Sequence, residues 1–110
     1  MNIQFTDNSK EVSDNIKAAL LRGLETCGLV AEGYAKKLAP VDTGNLRNSI
    51  THTVDEEEPA AYIGTNVEYA PYQELGTIHM KAQPFLKPAV SEHANEYRKI
   101  IENELKNGWI

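Results

Sequence analysis

The stretch from Ser9 to Leu38 constrains the fold more than any other part of this chain. Its apolar positions are Val12, Ile16, Leu20, Leu24, Cys27, Ala31, Tyr34 and Leu38. Steps of three and four place these residues on one stripe of a long amphipathic helix. Ala39-Pro40 ends it, because the residue before a proline is pushed out of the α region. Gly23, Gly28 and Gly33 interrupt the stretch, each at a cost of about 0.5–1 kcal/mol relative to alanine. Their even spacing moves around the helix, so they form no flat contact ridge. A kink or a close backbone neighbour accounts for them, and the sequence leaves both open.

The rest of the chain must cover that stripe. Ile3 and Phe5 alternate with polar residues, which predicts a short leading strand, and Asp7-Asn8-Ser9 reads as a turn and helix cap. Ser49 to Val54 alternates Ile50, His52 and Val54 with Ser49, Thr51 and Thr53, the pattern of a half-buried strand. Asp55-Glu56-Glu57-Glu58-Pro59 is an acidic, solvated connection to a second strand, Ala60 to Thr65, so the two form an antiparallel hairpin. Tyr69, Tyr72 and Leu75, with Pro71 early and Gly76 as a stop, predict one or two helical turns. Thr77 to Gln83 reads as an extended loop.

A second long helix is expected from Pro84 to Asn107, regular from about Pro88. Its stripe is Leu86, Val90, Ala94, Tyr97, Ile101 and Leu105, its surface pair Glu102–Lys106, and its C-terminal cap Gly108. The expectation is therefore α+β: one domain over residues 1–110, two long amphipathic helices packed on a small antiparallel sheet, in the order β-α-β-β-α. So small a sheet leaves edges open and favours self-association.

Composition closes several routes. A chain of 110 residues with 41% hydrophobic and 25% charged residues is sized for one modest core. Its net charge of −5 argues against a dedicated nucleic-acid binder. The single cysteine, Cys27, allows no internal disulfide and fits a reducing compartment. Neither a secretory signal nor an apolar run of membrane-spanning length is expected.

Asp42-Thr43-Gly44 is the one segment that invites catalysis, because Asp-Thr-Gly is the active-site triplet of aspartic proteases. That chemistry needs two carboxylates sharing a proton. A chain this short would have to dimerise, each copy donating Asp42. The triplet should also leave a hydrophobic strand, whereas here a helix ending in Ala39-Pro40 precedes it, and Asn45-Leu46-Arg47 after it are larger and more polar than the small residues such a catalytic loop usually carries. The competing reading is a structural turn: Asp42 or Thr43 capping a short helical turn at 44–47, with Gly44 at positive φ. His52, His79 and His93 show no metal-ligand spacing, and His52 and His93 fall on apolar stripes as core-edge residues. Cys27 reads as a small hydrophobe. Arg47, Lys81 and Lys87 are too few for a nucleic-acid site. No catalytic residue, metal or cofactor is expected.

Two further stretches mix aromatics, prolines and glycine: Tyr69-Ala70-Pro71-Tyr72-Gln73-Glu74-Leu75-Gly76-Thr77 and Gln83-Pro84-Phe85-Leu86-Lys87-Pro88-Ala89. They read either as a loop packed on the core through Tyr and Phe, or as a contact surface of Tyr69, Tyr72, Glu74, Thr77, His79, Met80, Lys81 and Phe85 for a neighbouring subunit. Together with Ala39-Pro40-Val41-Asp42-Thr43-Gly44-Asn45-Leu46 and Ser49-Ile50, their order and spacing resemble the HK97 gp10-like family of tailed-phage proteins, the tail-component or tail-completion proteins of the head–tail joining region. The resemblance extends over nearly the whole chain. Gln73 and Leu75 depart from it, since the family more often has a valine before this glutamate and an aromatic after it.

The resemblance implies a virion-assembly protein without catalysis, in a phage or prophage. It implies a ring of identical subunits around the DNA path, with a hexamer as one candidate order, touching neighbouring neck or tail proteins. DNA would pass without sequence-specific binding, and an acidic lumen would repel its phosphates. The expected location is the virion, after assembly in the host cytoplasm, with no membrane. The alternatives are another neck or minor tail component and, less favoured, the dimeric protease using Asp42.

Overall fold

The computed structural model describes residues 9–40 and 44–108. The leading strand at Ile3 and Phe5, and Asp42 and Thr43 of the turn, lie outside that range. Within it the order is α1 (Ser9–Leu38), α2 (Asn45–Ser49), β1 (Thr51–Asp55), β2 (Ala60–Gly64), α3 (Ala70–Leu75), α4 (Leu86–Ser91) and α5 (Ala94–Gly108). The architecture is α+β, with helices packed on one two-stranded antiparallel sheet. Only α1 and α5 are long. The molecule is a rod of 62 × 22 × 22 Å, with α1 as its spine.

The long first helix forms as its periodicity predicts, but its buried line is different. Ala19, Gly23, Cys27, Ala31, Ala35 and Ala39 are buried at steps of four. Leu20, Leu24 and Tyr34 flank this line half-buried, and Leu38, expected on the stripe, is exposed. The reason is close approach. A Cβ on Gly23 would lie 3.3 Å from the Ile101 backbone on α5, and one on Gly28 would lie 2.8 Å from the His52 ring on β1. At both positions the missing side chain lets a neighbour approach closely, more tightly at Gly28 than at Gly23. A close backbone neighbour is present at Gly23 and a close side chain at Gly28, whereas Gly33 has nothing within 4 Å of an added Cβ and is not explained by close approach.

The antiparallel hairpin forms as expected, with His52 opposite Ile63 and Thr53 opposite Tyr62. The Asp55 carboxylate accepts the N–H groups of Glu57 and Glu58 and shapes the acidic tip. The second long helix is corrected to two, because the chain turns at Glu92–His93. That turn lays the His93 ring on Tyr34, centroids 3.6 Å apart and nearly parallel, and lets Tyr34 donate to the Glu96 carboxylate at 2.6 Å. Gly108 is the last residue of α5 rather than a cap beyond it. The Glu102–Lys106 pair does not form; Glu104 pairs with Arg22 across the α1–α5 seam instead, at 3.3 Å. Val90, placed on the expected stripe, is half exposed.

The core sits at the C-terminal half of α1. Ala35, Ala39, Leu46, Ile50, Ala70, Phe85 and Ala89 form it, with Tyr34, Ile63, Val67 and Leu86 packed around them. Phe85 and Ile50 are its largest fully buried side chains. Filling such a site is worth about 3–5 kcal/mol for a phenylalanine. This cluster ties α2, α3 and α4 to α1 and sets where the loop between α3 and α4 emerges.

Candidate assembly surface

Three local devices build the α3–α4 loop. The first is α3 itself. Pro71 stands in its first turn, where a missing N–H costs nothing, and Ala70 is buried in the core. The second is Gly76, which ends α3 at φ 78° and ψ 173°, a conformation open almost only to glycine. A Cβ there would also lie 2.7 Å from the Ala82 backbone nitrogen. The chain then folds back on itself. Thr77 and Met80 exchange backbone N–H···O bonds of 2.8 and 3.3 Å, and Gln83 N–H donates to the Gln73 carbonyl at 2.7 Å.

The third device is Glu74. Its carboxylate accepts the backbone N–H groups of Phe85, Leu86 and Lys87 at 3.2, 2.8 and 3.3 Å. These are orphan donors at the start of α4, and Phe85 supplies no side-chain cap of its own. A negative group there also meets the positive end of the helix dipole. Glu74 thus closes the loop by capping one helix from the end of another.

What this scaffold holds outward is apolar. Tyr69 and Tyr72 are exposed, Leu75 is 78% exposed and Ile78 is 94% exposed, with Met80 exposed beside them. A shallow groove of about 500 Å³ runs along the segment, lined by Thr65, Val67, Ala70, Pro71, Leu75 and Leu86. Of the residues expected at this surface, Tyr69, Tyr72, Thr77, His79, Met80 and Lys81 are exposed together. Glu74 and Phe85 point inward, one as the cap and one as a core anchor. Leu75 and Ile78, the most exposed of the segment, are not in that expected set. Leu75 falls in the helical spacing of Tyr69 and Tyr72 and Ile78 in a loop, so local pattern singles out neither.

At the turn before α2, Gly44 stands at the cap position with φ 79° and no side-chain cap bond is made. The glycine conformation expected there is present.

A second cluster joins the hairpin to α1. The His52 ring faces Glu25 through Nε2 at 2.6 Å and Glu32 through Nδ1 at 3.1 Å. Both ring nitrogens can donate only in the imidazolium form. The bond to Glu25, then that to Glu32, raises the His52 pKa, and the His52 bond lowers that of Glu32. Lys36 also pairs with Glu32, at 3.4 Å. Sequence reading had placed His52 at the core edge but could not pair it across the fold.

Burial perturbs two further groups. Burial, then Glu96, pushes the Cys27 thiol up, so it stays protonated. Burial pushes the Tyr97 phenol up to about 12, and its hydroxyl donates to the Ala89 carbonyl. Among the described residues no cluster could hold a metal ion, and no helix is long and apolar enough to cross a membrane.

Comparison with known protein families gives a match. The family described as "Bacteriophage HK97-gp10, putative tail-component" matches residues 3–76 of the chain. The matched span covers the leading segment through α3 and stops at Gly76, so the Gln83–Ala89 stretch and the closing helix lie beyond it. No curated protein and no solved structure matches.

Proposed function

This chain belongs to the HK97-gp10-like family of bacteriophage tail components, and on that premise we propose that it is a non-enzymatic assembly protein acting in tail completion at the head–tail junction. It works there as one subunit of a ring around the DNA path, made in the host cytoplasm and carried in the virion.

The observation that carries this reading is the braced loop. Tyr69, Tyr72, Leu75, Ile78 and Met80 lie exposed on one short segment, and Gly76 and Glu74 hold that segment in one shape. Clustered exposed apolar groups mark contact surfaces. A preformed loop loses little conformational entropy on docking, which favours assembly. The identical subunits of a ring supply one partner, and neighbouring neck or tail proteins supply the other. The net charge of −5 lets DNA pass without being gripped. Asp42 follows a helix rather than a strand, which favours a turn over a protease loop.

Electron microscopy of lysates from a phage or prophage lacking this protein tests the reading. DNA-filled heads lying apart from finished tails are expected. Normal virions would refute it. The family description gives no position along the tail, so a second reading, another neck or minor tail component, is marked by joined particles with misshapen or short tails.

A further inference from the structure

Two exposed segments of opposite charge stand at separated places on the rod. The hairpin tip carries Asp55, Glu56, Glu57 and Glu58, all exposed. The segment from Gly76 to Ser91 carries the exposed Lys81 and Lys87 and no Asp or Glu, with Glu92 following directly after it. Glu74, the nearest carboxylate before it, is turned onto the α4 N–H groups. On a chain of net charge −5, a segment this free of acidic residues is a local exception.

The fold keeps the two apart within one copy. β1 leaves the core at Ile50, beside Ala35 and Ala39, and reaches Gly28 of α1 by His52. It therefore runs toward the N-terminal half of α1. Asp55 lies about 10 Å further that way at strand rise. The core that anchors Ala70 and Phe85 lies about 10–16 Å the other way at helix rise. Tip and loop are separated by about 20 Å or more, beyond the reach of an ion pair.

We propose that the acidic hairpin tip of one copy docks on the Lys81–Lys87 loop of the next, head to tail. This rests on the assembly role argued above and names the partner of that surface: a second copy of this chain. Opposite charges on two different patches make the contact heterologous, which closes into a ring or runs on as a filament, whereas a self-matching patch would stop at a twofold dimer. Charge sets the register and the encounter rate, and the apolar groups supply the contact. Tyr62, exposed on the outward face of the hairpin, gives Ile78 its apolar counterpart.

Charge reversal in two separate variants tests the pairing. One carries Glu56→Lys, Glu57→Lys and Glu58→Lys; the other carries Lys81→Glu and Lys87→Glu. Sedimentation at low salt reads self-association, and circular dichroism checks each fold. The wild-type chain should associate, and each variant alone should lose association by at least about tenfold. An equimolar mixture should regain it, since a basic tip then meets an acidic loop and an acidic tip a basic one. Raising salt from about 0.1 to about 1 M shortens screening from about 10 to about 3 Å and should weaken the wild-type assembly. Variants that associate as the wild type does, or a mixture that regains nothing, overturn the pairing. Separate heads and tails in the deletion lysate would then leave the joining role standing, so the two failures are distinguishable.

Discussion

Two segments rest on the spine helix, and each is fastened by one inward-facing ionisable side chain. The α3–α4 loop is held by Glu74, which bonds to three backbone N–H groups. The hairpin is held by His52, which bonds to two carboxylates, one of them on the largely exposed Glu25. Backbone amides do not titrate, so the first fastening has a fixed set of donors. The second needs a proton on the imidazole. The comparison teaches that similar-looking polar contacts give one fixed surface and one conditional one. The fixed one carries the exposed apolar groups.

The largest effect expected from breaking this contrast is at Gly76. Gly76→Ala forces a side chain into a conformation that L residues avoid and against the Ala82 backbone. It should cost about 3 kcal/mol in urea unfolding and misplace the loop. Glu74→Ala comes next, leaving orphan donors at the start of α4. A loss of about 2 kcal/mol is expected, with Glu74→Gln recovering part of it through its remaining carbonyl oxygen. If Glu74→Ala melts like the wild type, the brace is not real. Gly28→Ala tests the other fastening. Its Cβ would press on the His52 ring, pushing it off the two glutamates at a cost of about 1–2 kcal/mol.

The smallest effect is the pH response of the hairpin. The His52 pKa is raised by folding, so its contribution is complete below the ordinary imidazole value of about 6.5 and is lost as pH rises through the folded value. The Glu32 pKa is lowered, so its share is present above the ordinary carboxylate range and is lost as pH falls through its folded value. The clamp is therefore strongest in the acidic-to-neutral window. Solvent around Glu25 limits the effect to about 1 kcal/mol or less. Amide protection at Thr51–Asp55, taken relative to the intrinsic exchange rate at each pH, should fall above that window in the wild type. His52→Gln should flatten the response, while the loop amides of 76–85 stay indifferent. Equal responses in both segments would erase the contrast.

Much of the frame was legible in the chain. The period of α1, its stop at Ala39-Pro40, the hairpin and its acidic tip follow from local pattern, and Gly44 follows from turn chemistry. What escaped was long-range or small. The buried line of α1 runs through alanines, glycine and Cys27, which weigh little in a search for large apolar residues. Glu74 lies eleven residues or more from the amides it caps, a distance at which no sequence rule pairs a side chain with a backbone. The break at Glu92–His93 depends on Tyr34 waiting on another helix. In the candidate surface, Tyr69 and Tyr72 were readable as exposed aromatics, but Phe85 looked the same in sequence and belongs to the core.

The central claim is that the braced apolar loop is the working surface of a tail-assembly protein. Complementation of the deletion phage with Ile78→Asp tests it most directly, because Ile78 touches so little of its own chain that its stability should change by no more than about 0.5 kcal/mol. A folded variant that leaves filled heads and tails unjoined and lowers the titre to the level of the deletion is expected. A folded Ile78→Asp protein that restores normal virions at wild-type titre would contradict it.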